Sequence, residues 1–340
     1  MGWRRLLTRV AAVLAVLLAA TGGWVSWRLN DHPGLAPYAD LMLQPRVDTD
    51  IPAVRVTFLG VSTLLVSDGQ TSLLTDGFFS RPGKWDTLTG AIAPDPDAIA
   101  RGLQIAGTDS LAAVIVVHSH YDHAMDAPEV ARRTGALLVG SESTRNVGRG
   151  AGLGEESMRL AEPGEPLRFG AFAVILLPSR HLPHGMAMGD IDAPLVPPAA
   201  ATAYKEGGSY SVLLSHPLGT LLVQGSAGWL DGALADRSAD VVLLGIGGLG
   251  TQDAGYRETF YDEVVARVGA RCVVAIHWDD FTLPLDEPLR PMPRLLDDFD
   301  GTMRYLRART APDAALALLP FGRAVPLLGP GAVPCGPTRR

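Results

Sequence analysis

The segment 118–123 has the sequence His-Ser-His-Tyr-Asp-His, which places three imidazoles and a carboxylate within six residues. It directly follows an apolar, β-branched run that predicts a strand buried on both faces. Side chains two residues apart in extended chain point the same way, so His118 and His120 face one point. Asp122 and His123 follow in the turn and can face a second point nearby. The spacing predicts a metal site, with a polar loop that caps the next helix as the alternative.

The metal that such a site prefers follows from its donor atoms. Imidazole nitrogen and carboxylate oxygen suit Zn²⁺, while iron or manganese is open where carboxylates contribute. We therefore expect one or two zinc ions, with Mn or Fe as alternatives.

The remaining chain predicts strands and helices in alternation. Runs of apolar residues between turn residues predict strands at 54–60, 62–67, 71–75, 136–140, 166–177, 209–215, 220–225, 240–245 and 271–276. Helical patterns cover 97–106, 127–134, 256–268 and 294–309. Because the β-then-α order occurs in both halves, we expect an α/β fold with two facing sheets and helices outside, a four-layer αββα sandwich.

The motif His-x-His-x-Asp-His after a buried strand resembles that of the metallo-β-lactamase fold hydrolases, and the similarity runs from about Val54 to Leu319. In that family the opening strands end in an Asp, and Asp76 has the matching place here. The family's next ligand is a histidine after a later strand, which His181 supplies. Its last ligand ends a strand near the C-terminus and corresponds to His277. The pattern is most similar to the branch of ascorbate-6-phosphate lactonase-like and N-acyl-phosphatidylethanolamine phospholipase D-like proteins.

The resemblance implies a metal-dependent hydrolase in which a metal-bound hydroxide attacks an ester, lactone or phosphodiester bond. Two groups of three ligands are implied, namely His118, His120 and His181 around one metal, and Asp122, His123 and His277 around the other. Asp122 would also orient the nucleophile. Asp76 would orient a ligand histidine without touching metal. His184 is an alternative to His181 for the same role.

One position departs from the family pattern. After the apolar run 220–224 the family has Gly-Asp, whose carboxylate bridges two metals, whereas this chain has Gly225 followed by Ser226. A neutral hydroxyl cannot offset the repulsion between two divalent cations as a carboxylate does, so we expect a weaker or asymmetric dinuclear site. The departure keeps a second function open, that of a membrane-anchored, non-catalytic binding or sensing protein with a degenerate metal site.

The first thirty residues differ from the rest of the chain. Three arginines precede an apolar run of about sixteen residues, and Trp24 and Trp27 extend it toward the roughly twenty needed to cross a bilayer. The pattern predicts a signal anchor with the catalytic domain in the periplasm or extracellular space, or a signal peptide whose cleavage would release a secreted enzyme. The expected divisions are a membrane segment at 1–30, a linker at 31–52, the hydrolase domain at 53–325 and a flexible tail at 326–340.

The charge and composition of the chain restrict the kinds of molecule that we expect it to bind. A net charge of −7 without a basic stripe argues against nucleic acid. Two cysteines are too few for a disulfide framework, so Cys272 is expected to be a small core residue. The long apolar loop after His181 could be a lid over the site or an insertion that packs elsewhere, with Met186, Met188, Ile191 and Leu195 as its apolar residues. We expect a small-molecule or lipid-like substrate.

Overall fold

Two seven-stranded sheets lie at the centre of the molecule, which we describe from a computed structural model. The structure describes residues 2–45, 51–183, 185–285, 288–311 and 313–335. The strands in chain order are β1 Val54–Phe58, β2 Leu64–Ser67, β3 Ser72–Thr75, β4 Ala113–Ile115, β5 Leu137–Gly140, β6 Met158–Leu160, β7 Pro166–Phe169, β8 Phe172–Ser179, β9 Ser209–His216, β10 Gly219–Gln224, β11 Val241–Gly245, β12 Cys272–Ile276, β13 Ala315–Leu318 and β14 Ala324–Leu328.

In the part of the chain that the structure describes, eight α-helices accompany these strands. They are α1 Gly2–Arg28, α2 Lys84–Thr89, α3 Pro96–Ala106, α4 Tyr121–Ala124, α5 Ala127–Thr134, α6 Glu142–Gly150, α7 Ala254–Tyr261 and α8 Phe299–Thr310. Helix α3 begins where the sequence predicts. The side chain of Asp95 accepts hydrogen bonds from the first free backbone N–H groups, and Pro96 has no N–H that would lack a partner there. Helix α7 continues into a π-helical turn at Asp262–Ala266.

Parallel strands bring the candidate ligands to one edge of each sheet. The first sheet has the order β14-β1-β2-β3-β4-β5-β6, and the second has the order β13-β12-β11-β10-β9-β8-β7. In the first, β3 to β6 are parallel. In the second, β10 to β13 are parallel. Since the carboxyl ends of parallel strands meet at the same edge, the loops after β4 and β12 can face each other.

The hydrophobic core consists of two clusters of buried residues, and their positions show that the two sheets and two groups of helices form four layers. One buried cluster joins residues of both sheets, such as Val56 and Val242, to Phe260 of α7 and Met303 of α8. The second lies between the first sheet and its helices and includes Ile99, Val130 and Val147, from α3, α5 and α6. Helices therefore cover both outer faces, and the α/β four-layer sandwich predicted from the sequence is confirmed.

Strand β4 leaves the sheet earlier than its apolar run suggests. The run continues to Val117, yet ladder pairing with β3 ends at Ile115. The backbone N–H of Val117 donates instead to the Asp76 carboxylate, at 2.9 Å. A side chain thus replaces the strand partner at the point where the chain turns toward the candidate metal ligands.

One of the predicted divisions needs correction. The tail does not begin at residue 326, because β14 runs to Leu328 and pairs with β1 along an edge of the first sheet. The linker also packs on the domain where it is described, since Tyr38, Leu41 and Leu43 are buried in the core. The hydroxyl of Tyr38 donates to Asp300, at 2.7 Å. Residues 46–50 and 336–340 lie outside the described part of the chain.

The prediction that Cys272 is only a core residue is wrong. The structure joins it to Cys335 in a disulfide with a Cα–Cα distance of 5.6 Å, across 63 residues of sequence. This distance is ordinary for a disulfide. The bond ties the segment after β14 to the first residue of β12, the strand that leads to His277.

We predict that Cys335→Ala lowers the free energy of unfolding by about 2–4 kcal/mol, because the disulfide closes a long loop in the unfolded chain. Urea titration of the full chain measures the loss, with the reduced wild type as the matched comparison. Reductant should not destabilise Cys335→Ala further. A wild-type protein that reacts with a thiol reagent before reduction would contradict the disulfide itself.

Candidate metal centre

The predicted ligands come from three places on the fold. His118 and His120 lie in the loop that follows β4, and α4 begins directly after them. Asp122 and His123 belong to α4 and are buried. His181 follows β8, and His277 follows β12. The structure brings all six of these residues together in two groups of three.

The first group contains three imidazoles. The ring centroids of His118 and His120 lie 4.8 Å apart, and each lies 4.7 Å from the ring of His181. One ring nitrogen from each residue falls within 4.8 Å of the others, which is the spacing of atoms that can share one ion. His118 and His120 are buried, whereas His181 is half-buried at the edge of the cavity.

The second group contains one carboxylate and two imidazoles. Oδ2 of Asp122 lies 3.5 Å from Nε2 of His123 and 3.4 Å from Nε2 of His277. The two Nε2 atoms are 3.3 Å apart. Burial alone would raise the pKa of Asp122, but His123 and His277 outweigh it and hold that pKa below its usual value.

For three of the histidines, a hydrogen bond to one ring nitrogen indicates that the other ring nitrogen carries the lone pair. His123 donates from Nδ1 to Asp76, at 2.8 Å, and His181 from Nδ1 to the carbonyl of Leu182, at 2.7 Å. Both rings then have their lone pair on Nε2. His120 uses Nε2 toward the carbonyl of Ala187, at 3.2 Å, so its lone pair belongs to Nδ1.

A buried atom without a partner shows that these residues fit a cation. Among the described residues, none forms a hydrogen bond with Nε2 of His118. Burial, followed by the neighbouring histidines, lowers the pKa of His118 well below its usual value, so the ring is neutral and a lone pair is present. A buried polar atom with no partner is costly, and a divalent cation would satisfy it.

Asp76 lies behind the second group and is fully buried at the end of β3. Besides the N–H of Val117 and the ring of His123, its carboxylate accepts from the hydroxyl of Ser62, at 2.5 Å. The position is the one that the resemblance implies for an orienting residue. Ser62, from the turn between β1 and β2, has no counterpart among the sequence predictions.

His277 is positioned by backbone contacts as well as by its strand. Its φ angle is +53°, and its N–H donates to the carbonyl of Val61, at 2.8 Å. A Cβ at Gly247 would come within 3.0 Å of the ring Nδ1 and 2.7 Å of the carbonyl oxygen of His277. Only glycine leaves room for this approach, which explains why the glycine-rich loop after β11 passes close to the pocket.

An ion pair behind His277 was not found by sequence reasoning. Asp279 accepts from the N–H of Val61, at 2.8 Å, and pairs with Arg81, and both charged side chains are fully buried. Arg81 lies 198 residues away in the chain, so no local pattern indicates it. Removing one partner would leave an unpaired buried charge, which makes this pair a fixed support for the loop after β12.

Ser226 lies on the wall of the same cavity as four of the candidate ligands. Its hydroxyl accepts a hydrogen bond from the N–H of Leu182, at 3.1 Å. Ser226 therefore holds the segment that carries His181. A Cβ at Gly228 would come within 2.3 Å of the carbonyl of Arg180, so the same loop fits closely under His181.

The two groups open into a cavity of about 370 Å³ with largely apolar walls. Met186 lines it, but Ile191 is buried in the core beside the first sheet and Leu195 packs against that core. The loop after His181 therefore combines both expected roles, with a cavity wall at its start and an insertion packed elsewhere. His184 lies outside the described residues.

Several cavity residues have no counterpart in the sequence analysis. They include Leu88 of α2, Tyr204, Phe281 and Leu296, which add apolar surface. Asp297 is the exception, since its Oδ2 accepts from the N–H of Gly248, at 3.0 Å, and no described residue forms a hydrogen bond with its buried Oδ1. Burial raises its pKa. Asp297 gives the apolar cavity one polar acceptor.

A sequence model of the metallo-beta-lactamase superfamily matches residues 57–223, which run from the end of β1 nearly to the end of β10 and include all of the candidate ligands except His277. The fold also matches the crystal structure of a possible metal-dependent hydrolase from Veillonella parvula, with a TM-score of 0.51 and 14% identity, over 81% of this chain and 100% of that one. Residues 57–223 are thereby identified as part of a metallo-β-lactamase superfamily domain. Its assignment to one branch of that superfamily stays a prediction.

Curated relatives of this chain carry the name UPF0173 metal-dependent hydrolase. One from Methanopyrus kandleri is 27% identical over 157 residues, which are 46% of this chain and 60% of that protein. One from Rubrobacter xylanophilus is 31% identical over 111 residues, which are 32% of this chain and 39% of that protein. The matched part thus spans less than two thirds of either relative.

We predict that Asp76→Asn weakens metal binding about 10–100-fold, because the charged acceptor that fixes the ring of His123 is lost. Competition with a fluorescent chelator measures the affinity for Zn²⁺. Asp68→Asn is the matched control, since Asp68 also pairs with a histidine, His216 at 3.3 Å, in the hairpin turns away from the centre. Equal zinc affinities for the two variants would contradict the orienting role of Asp76.

Proposed function

We propose that this chain is a metal-dependent hydrolase that cleaves an ester, lactone or phosphodiester bond in an amphipathic substrate. One observation carries the proposal, namely two adjacent groups of three metal-type ligands beside one cavity. Three protein ligands with an open position are typical of catalytic metal sites. The names of the curated relatives support the same reaction class.

A divalent cation held by these groups would acidify a water molecule and polarise the substrate oxygen. The contribution of the protein is to hold the cation and to position the reacting groups. His123 and His277 keep the pKa of Asp122 below its usual value, so its carboxylate is ionised near neutral pH and can accept a hydrogen bond that orients the attacking water. The rings of Tyr121 and Phe281, with centroids 6.2 Å apart, line the same cavity as this carboxylate and add apolar surface to it.

The walls of the cavity favour a substrate with an apolar part. Most of its surface is apolar, with leucine, methionine and aromatic side chains among its walls, and Asp297 also lines it. An amphipathic molecule would place its apolar portion against these walls and its reacting bond at the metal groups. This composition supports a lipid-like substrate more than a small, fully polar one.

A location outside the cytoplasm is part of the proposal. Within the described residues, Arg5–Arg28 forms one helix that is long and apolar enough to cross a membrane, although a signal sequence has the same features. Arginines precede the apolar run, which favours a cytoplasmic N-terminus for an anchor. The Cys272–Cys335 disulfide supports an oxidising compartment independently.

We predict that Ser226→Asp raises the bound metal toward two ions per chain, because a carboxylate offsets the repulsion between cations that a hydroxyl leaves in place. Ser226→Asn is the matched control, since it adds a side chain of similar size without charge. Metal content after dialysis, measured by inductively coupled plasma mass spectrometry, separates the two. An unchanged stoichiometry in Ser226→Asp would show that the missing bridge does not limit the native site.

Hydrolysis assays test the proposed activity. Zinc- or manganese-loaded full chain in detergent should hydrolyse at least one of three fluorogenic probes, an ester, a lactone or a phosphodiester with a long acyl chain. We predict that Asp122→Asn lowers that rate by about a hundredfold or more, because the charged group that would hold the cation and orient the attacking water is lost. Asp68→Asn should leave the rate unchanged.

The alternative function is a binding or sensing protein with a degenerate site, and Ser226 is the observation in its favour. A metal-loaded, folded wild type that hydrolyses none of the three probes would favour this alternative. Failure to bind metal at all would exclude the hydrolase proposal.

A further inference from the structure

Exposed apolar side chains surround the opening of the active-site cavity. Three of them line the cavity and belong to three separate segments, with Leu88 73% exposed, Met186 66% exposed and Leu296 47% exposed. The same segments expose a neighbour each. We call the six residues the apolar rim: Trp85, Leu88, Met186, Met188, Leu295 and Leu296. Large apolar side chains grouped around one opening indicate an interaction surface.

Two of the three rim segments are hydrogen-bonded to the residues that follow α1. The ammonium group of Lys84, beside Trp85, donates to the carbonyl of Leu29, at 2.8 Å. The N–H of Arg294, beside Leu295, donates to the carbonyl of Asp31, at 2.9 Å. Helix α1 ends at Arg28. Lys84 and Arg294 are each the immediate neighbour of a rim residue, and each contacts a residue at most three positions after the end of α1.

More contacts fix this junction. The ring of His32 uses Nδ1 toward the carbonyl of Pro291, at 2.8 Å, and its Nε2 lies 3.8 Å from the buried carboxylate of Asp280. Lys84 also pairs with that carboxylate, at 3.0 Å. Trp27, in the last turn of α1, lines a surface pocket together with Leu289. The end of α1 is thus attached to the cavity opening through several polar contacts.

The position of the C-terminal end of α1 determines how far the apolar rim lies from a membrane that α1 would cross. The side chains of α1 are exposed along the apolar stretch, so the helix has no protein surface to cover it. If this helix crosses a bilayer, Trp24 and Trp27 mark its interfacial end. Three residues of extended chain span about 10 Å, so the rim segments bound to Leu29 and Asp31 lie within roughly that distance of the interface.

We propose that the apolar rim docks on the surface of the lipid bilayer in which α1 is anchored, so that the active-site cavity opens toward the membrane. The inference rests on the anchor that is part of the proposed function, and it adds the surface and the partner. A cavity that opens at the interface takes an amphipathic molecule directly from the lipid layer. The apolar part of such a substrate then passes over the rim without crossing water.

Site-specific labelling of the full chain tests the docking. Both native cysteines are joined in the disulfide, so Leu88→Cys or Leu295→Cys supplies one free thiol for a small fluorophore such as bimane. The labelled protein is placed in phosphatidylcholine bilayer discs, where both faces are open to solvent. Quenching by aqueous iodide then reports how far each label is removed from water.

Ile51→Cys is the matched control at an exposed apolar residue, because it precedes β1 and so lies at the opposite end of that strand from Ser62. Labels at 88 and 295 should show quenching constants about fivefold lower than at 51, since iodide is charged and excluded from the apolar layer. Equal quenching at 88, 295 and 51 would overturn the proposal.

A label in α1 separates failure of the docking from failure of the anchor. Leu14→Cys should be protected from iodide when α1 lies in the disc. Protection at 14 with full quenching at 88 and 295 would reject the rim as a membrane surface and leave the anchor intact. Full quenching at 14 as well would reject both. Because no arm of the experiment measures hydrolysis, an inactive protein would still give a decisive result.

Discussion

The buried carboxylate of Asp76 is the constraint on which the candidate centre depends. It has no exposed surface, so its charge is stabilised only by the donors around it, which are the N–H of Val117, the hydroxyl of Ser62 and the ring of His123. These donors come from the end of β4, the turn after β1 and α4. One side chain therefore fixes where β4 leaves its sheet and which nitrogen of His123 carries the lone pair. The approach of the two ligand groups follows from that arrangement.

The ligand-bearing loops, and the fold class, could be predicted from the sequence because their pattern is local. The three histidines and Asp122 fall within six residues, and His181 and His277 each follow an apolar strand run. The supports behind them could not be predicted, since Arg81 and Asp279 are 198 residues apart and contribute nothing to a local pattern. Strand β14 was missed for a related reason, because it is one short run that is stabilised by pairing with β1 at the other end of the domain.

Ser226 illustrates how one position can serve the fold and the site at once. The sequence shows only that a hydroxyl replaces a bridging carboxylate. The structure adds that this hydroxyl accepts from the N–H of Leu182, the residue after His181. A longer side chain at 226 would have to keep or replace that hydrogen bond while it reached toward the metals. A substitution at 226 would therefore act on the segment that carries His181 as well as on the cavity wall.

The charge cluster at Asp280 connects the candidate centre to the N-terminal helix. Asp280 lies three residues after His277, and its buried carboxylate meets Lys84 at 3.0 Å and His32 at 3.8 Å. Lys84 begins α2, which supplies part of the cavity wall, and His32 follows α1. Separating a buried carboxylate from the cationic group that lies closest to it is costly, so Asp280 keeps α2 and the chain after α1 close to the loop after β12. The loop that positions His277 and the chain that leaves α1 are thus held by the same interaction, so the direction in which the cavity opens is set relative to α1 by the fold itself.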